Sequence, residues 1–179
     1  MSLTKSWSPL SIQVLLSSGV TMINISVYEN VTNAAQIRSV VMNEEGELID
    51  PTMRGAIVDL SLISNRFHLE LGAYKALMNE KCGTMKTKSI SSEILYYLSG
   101  SCKITEALKQ YSIQPESQFI AVINLSTSSA DSISHIRDMV DGAAVDVSQL
   151  ESPECLSGVK VMNDRLNVSS FIFFTTNFQ

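Results

Sequence analysis

The sequence predicts an α+β domain, a single compact unit with a small mixed or antiparallel sheet packed against several helices. Three observations point there. Only a few stretches read as strands, and the two clearest lie far apart, "TMINISVYENV" (21–31) and "QFIAVINL" (118–125). Between them run several segments with apolar residues at helical spacing. Strands and helices do not alternate one for one, as a doubly wound parallel sheet would require. The chain has 179 residues, 45% of them hydrophobic and 17% charged. That is enough for one core and too apolar for a disordered chain.

The elements follow in order. Residues 21–31 alternate and are rich in β-branched side chains, which favours a strand. "TNAAQIRSVVMNEE" follows, with Asn33 placed as an N-cap and Gln36 at the capping-box position. Ile37, Val40 and Val41 form its apolar face. Gly46 and Asp50-Pro51 mark a loop. "GAIVDLSLI" (55–63) is a short apolar run that fits either a strand or a helix. "SNRFHLELGAYKALMNEKCG" predicts a helix ending near Gly83, with Phe67, Leu71, Tyr74 and Met78 at steps of four, three and four, and Leu77 beside them, on one face. Ser89 caps the next helix, whose face is Ile90, Ile94, Leu95 and Leu98, and Gly100 stops it. Glu93 lies near that helix's positive end, where a carboxylate is favoured. "KITEALKQYSI" predicts a short helix capped by Thr105. "DSISHIRDMVDG" predicts an amphipathic helix with Ile133, Ile136 and Val140 inward, and "AAVDVSQL" fits a short strand or a loop. The N-terminal stretch (1–27), with its one lysine, has a weak charged start and no clear cleavage site for a signal peptide, and no window has the ~18 continuous apolar residues of a membrane span.

Composition removes several function classes. The net charge of −5 argues against a generic nucleic-acid binder, although a local basic patch is compatible with it. Cys82, Cys102 and Cys155 are odd in number and widely spaced, so neither a disulfide framework nor a zinc site is expected. Reduced thiols fit a cytosolic or nuclear protein. No glycine-rich phosphate loop and no G-x-S-x-G element occurs, and no cofactor or metal is expected. The two histidines, His68 and His135, sit in helical patterns. A thiol enzyme using Cys82 or Cys102 is one alternative reading, and a dyad of Cys82 with His68 or His135 is one form of it. A generic interaction domain without an RNA role is another.

The informative stretch is "GTMKTKSISSEILYYLSG" (83–100). From Lys75 to Lys109 there are six lysines against three glutamates, a local basic excess in an acidic chain. Lys86 and Lys88 stand one residue apart just before a helix start. Backbone N–H groups at that start would reinforce them as an anion site. The pattern fits contacts to a phosphate backbone, with Tyr74, Tyr96 or Tyr97 available to stack on a base. It also fits an ordinary solvated charge run beside core tyrosines.

The same stretch, extended to "GTMKTKSISSEILYYLSGSCKITEALKQYSIQ", resembles the signature of the PRPK-binding protein family (TPRKB), the small accessory subunit of the KEOPS (EKC) complex. The matching elements are Met85-Lys86-Thr87-Lys88, Ser91-Ser92-Glu93-Ile94, Leu98-Ser99 and Ile104-Thr105-Glu106-Ala107-Leu108-Lys109. Upstream, "VTNAAQIR" and "HLELGAYKAL" resemble two further family elements. The likeness runs from about residue 21 to 125, and weakly to 150. It implies a non-catalytic α+β subunit that docks on the kinase-like ATPase of the complex, and through it serves the sugar-kinase-like transferase subunit. It also implies a part in engaging tRNA near its 3′ CCA end, for threonylcarbamoyladenosine formation beside the anticodon, in the cytoplasm and nucleus. On that resemblance Lys86, Thr87, Lys88 and Tyr74 are the RNA-binding residues, and no membrane is involved. The sequence departs from the family at Ser99-Gly100, at Tyr111-Ser112-Ile113 and at its end. The expected division is a subunit-like domain over 1–157 and an atypical, apolar and β-prone tail over 158–179.

Overall fold

A computed structural model describes residues 10–16, 19–43, 53–126, 134–147 and 150. The expected loop at Gly46 to Pro51, Ile133, Cys155 and the 158–179 tail lie outside these residues. Five antiparallel strands form one sheet: β1 (Leu10–Leu16), β2 (Gly19–Glu29), β3 (Gly55–Asp59), β4 (Ile120–Ser126) and β5 (Ala143–Val145). The order is β1-β2-β4-β3. β5 pairs with Val27–Glu29, beyond the end of β1's pairing at Ile25. The helices are α1 (Ala34–Val41), α2 (Arg66–Cys82), α3 (Ile90–Ser99), α4 (Ile104–Tyr111) and α5 (Ser134–Met139).

The sheet is a middle layer. Successive residues of a strand point to opposite faces. On one face Ile23, Ile25, Val27, Ala56, Val58, Ala121, Ile123 and Leu125 pack with α2, α3 and Tyr111 of α4. On the other, Tyr28, Ile57, Ile120 and Val122 pack with Ile37 and Val41 of α1 and Ile136 of α5. Burial from both sides explains why "GAIVD" and "IAVINL" are continuous apolar runs instead of alternating ones. It also settles the ambiguous 55–63 segment. Its first five residues are strand β3, and Leu60–Leu62 is a single 3-10 turn with Asp59 accepting from the Ser61 N–H. "AAV" of the second ambiguous segment is β5.

β1 is the strand that sequence reasoning missed. The alternation of Ser11-Ile12-Gln13-Val14 was its signal. Asn33 occupies the N-cap of α1, but the capping box does not form. Its side chain instead donates to the Met139 carbonyl at 2.6 Å and accepts from the Asp141 N–H at 3.0 Å, tying α1 to the end of α5. Thr105 lies inside α4, whose N-cap is Lys103.

The structure decides which side of α2 is core. Its buried residues are Leu69, Gly72, Ala73, Ala76 and Leu77. Phe67, Leu71 and Tyr74 are 59%, 38% and 44% exposed and lie on the opposite side of the helix. Of the expected face, Leu77 is in the core, whereas Phe67, Leu71 and Tyr74 point outward. Small residues at 72, 73 and 76 let α2 approach α3 closely, so that a Cβ on Gly72 would lie 2.6 Å from Leu98 Cδ2.

Candidate nucleic-acid interface

The α2–α3 hairpin presents the loop that carries the two lysines. α2 ends where Gly83 takes the left-handed conformation, φ 66°, and the Thr84 N–H closes on the Asn79 carbonyl at 2.9 Å. α3 begins at Ser89, whose Oγ accepts from the Ser92 N–H at 3.2 Å, and ends at Gly100, φ 59°. Its inward face is Ile90, Ile94, Leu95 and Leu98, as expected.

Lys86 and Lys88 are exposed, and Thr87 between them is half-buried. The Lys86 and Thr87 amides do not face solvent. The Lys86 N–H reaches both carboxylate oxygens of Glu93 at 3.0 Å, and the Thr87 N–H donates to Oε2 at 2.8 Å. The Thr87 hydroxyl shares its proton between Glu93 Oε2, at 2.8 Å, and the Ser89 carbonyl, at 2.9 Å. Asn79 of α2 completes the set, donating to Glu93 Oε1 at 3.1 Å and to the Tyr97 hydroxyl at 2.6 Å. The Lys86 and Thr87 N–H groups are thus turned on an internal carboxylate, and the positive charge left for a partner is on the two lysine side chains. Sequence reasoning assigned Glu93 only to the helix's positive end. The capping-box position three after Ser89 is Ser92, and Glu93 falls one residue further on, which turns it inward.

The structure keeps Lys86, Thr87 and Lys88 together and sets Tyr74 apart. Tyr74 is eight residues before the last residue of α2, a separation of about 12 Å along the helix axis. Tyr96 and Tyr97 stack edge to face at 5.3 Å, and Lys75 Nζ lies 5.9 Å from the Tyr97 ring centre. Tyr97 thereby serves the hairpin itself.

The basic excess survives folding because the acids of the segment are engaged. Glu80 makes a two-pronged ion pair with Arg54, at 2.7 and 2.8 Å. Hydrogen bonding to Arg54 holds the Glu80 carboxyl below its ordinary range. Glu106 pairs with Lys103, and Glu93 is buried. Among the described residues no carboxylate pairs with Lys75, Lys81, Lys86 or Lys88.

A Cys82–His68 dyad is ruled out by geometry. The two are fourteen residues apart on α2, which is about 21 Å. Both ring nitrogens of His68 are also engaged, Nε2 with the Leu98 carbonyl at 2.9 Å and Nδ1 with the Ser64 N–H at 3.5 Å. Among the described residues no cluster of three or more His, Cys, Asp or Glu side chains could hold a metal ion, and no helix is long and apolar enough to cross a membrane.

The family model described as "Kinase binding protein CGI-121" matches residues 28–162, a span that takes in β3, β4, β5, the end of β2 and the whole α2–α3 hairpin. The chain belongs to that family. Its similarity to individual members is modest and broad. It is 29% identical over 125 residues to the EKC/KEOPS complex subunit TPRKB of Danio rerio, covering 69% of this chain and 67% of the relative. It is 27% identical over 133 residues to the EKC/KEOPS complex subunit cgi121 of Schizosaccharomyces pombe, covering 73% and 74%. With the Yarrowia lipolytica subunit CGI121 it shares 29% identity over 103 residues, which is 58% of each chain. The family assignment agrees with the resemblance carried by residues 85–109.

Proposed function

We propose that this chain is a non-catalytic subunit of a KEOPS/EKC-type complex. It binds the kinase-like ATPase subunit and helps to engage tRNA, including its 3′ CCA region, for threonylcarbamoyladenosine formation beside the anticodon. The observation that carries the reading is the family match across residues 28–162. Two features support its two halves. The outward apolar stripe of Phe67, Leu71 and Tyr74 on α2 suits docking of a protein, and the family's description names a kinase as that protein. The lysine side chains of the 86–88 loop suit phosphate contacts, for which a flexible point charge is sufficient. The sugar-kinase-like transferase is reached indirectly, through the kinase-like partner.

The test is a tRNA-binding titration in salt, run on the chain alone and with its kinase-like partner. It compares wild type with Lys86→Glu/Lys88→Glu, using tRNA with and without its CCA end. Losing two phosphate contacts lowers affinity by about tenfold and flattens the slope of log K against log salt by about 1.4 to 1.8. Binding that ignores both the double substitution and loss of CCA sinks the RNA half. Failure to capture the kinase-like partner sinks the other half.

A further inference from the structure

We propose that Glu93 is the positioning residue of the lysine loop: its buried carboxylate fills an anion nest formed by residues 86 and 87, and so fixes where Lys86 and Lys88 stand. The inference rests on the reading of those lysines as RNA contacts. Glu93 is 0% exposed, and among the described residues no cation pairs with it. A buried charge is tolerated only where donors replace its water. Here two backbone N–H groups, the Thr87 hydroxyl and the Asn79 amide do so, all at 2.8 to 3.1 Å. Three of these four donors belong to two consecutive residues of the loop. Successive backbone N–H groups closing on an anion form the concavity that elsewhere holds a phosphate. In this chain the anion is supplied from α3, so the nest holds the loop down and leaves its lysine side chains to face solvent.

Position and charge predict opposite signs for the same substitution. Glu93→Gln removes a negative charge close to the RNA site, and electrostatics alone would raise RNA affinity. A glutamine also turns its NH2 toward N–H donors that it cannot satisfy, which releases the loop. Glu93→Asp keeps the charge and loses only reach. The deciding experiment measures tRNA affinity and amide hydrogen exchange for wild type, Glu93→Gln, Glu93→Asp and Lys86→Glu/Lys88→Glu. It uses the full chain, alone and with the kinase-like partner. Positioning predicts that both Glu93 variants bind tRNA about three- to tenfold more weakly, approaching the double lysine variant. It also predicts that the Lys86 and Thr87 amides, protected in wild type, exchange rapidly in both.

Tighter or unchanged tRNA binding by Glu93→Gln, with Glu93→Asp unchanged, overturns the proposal. Unprotected Lys86 and Thr87 amides in wild type also overturn it, and that arm needs no variant that might fail to fold. If Lys86→Glu/Lys88→Glu itself leaves tRNA binding intact, the RNA reading has failed. The exchange data then still decide whether Glu93 holds the loop.

Discussion

His68 stands where α2 crosses the end of α3, with both ring nitrogens on backbone groups. The Ser64 N–H at Nδ1 assigns the ring proton to Nε2, which donates to the Leu98 carbonyl. Burial holds its pKa below the ordinary imidazole value of 6.5, although the bond to Leu98 works in the other direction. The unfolded chain therefore binds this proton more readily than the folded one. The contribution to stability is complete above the unfolded value and is lost as pH falls below about 6.5. Urea unfolding between pH 7 and 5 should show a steeper loss for wild type than for His68→Gln; parallel curves would refute this. Lys86 and Lys88 differ in kind from the residue between them. Thr87 is held by Glu93, and its chemistry belongs to the loop's shape as much as to any partner.

At the scale of the element, α2 is apolar on two opposite sides, and its two sides answer to different forces. Leu69 and Leu77 are fully buried against the sheet and α3. Truncating Leu69 to Ala should cost about 2–5 kcal/mol, because a cavity adds to the lost transfer energy. Leu71→Ser on the outward stripe should fall within about 0.5 kcal/mol of wild type. Equal losses would mean that the stripe is core. Gly72 sets a second contest. Alanine improves helix propensity by about 1 kcal/mol, yet its Cβ would stand 2.6 Å from Leu98 Cδ2 in a closed interface. Overpacking of this kind costs about 1–3 kcal/mol, so Gly72→Ala should lower the urea midpoint. A raised midpoint would show that Leu98 moves aside freely.

The whole molecule joins an acidic total charge to one hairpin whose acids are neutralised or buried. Folding therefore concentrates the positive field at the α2–α3 end, while the apolar stripe runs along the outside of α2. Under the proposed function the two features serve separate partners. Phe67→Ser with Tyr74→Ser should abolish capture of the kinase-like partner and leave the thermal midpoint within a few degrees of wild type. Lys86→Glu/Lys88→Glu should leave that capture intact. If both pairs of substitutions fail in the same assay, the two surfaces act as one.

Sequence was sufficient wherever a local rule decides the outcome. Ser89 as cap, Gly83 and Gly100 as helix stops, strands expected at 21–31 and 118–125 and found at 19–29 and 120–126, and the α+β class all follow from spacing and backbone preference. The family resemblance was legible for the same reason, since it rests on contiguous residues. Three matters were left to tertiary structure. Which side of α2 faces inward was one, because both sides carry apolar residues, and the small Gly72, Ala73 and Ala76 win where α3 must come close. The fate of Asn33 was another: two partners at the end of α5 outcompete its own helix. The last was Glu93, whose role arises only when a loop and a helix start fold onto each other and four donors converge on one buried charge. Local preference is a property of adjacent residues, whereas the desolvation that gives Glu93 its partners exists only once the chain has closed around it.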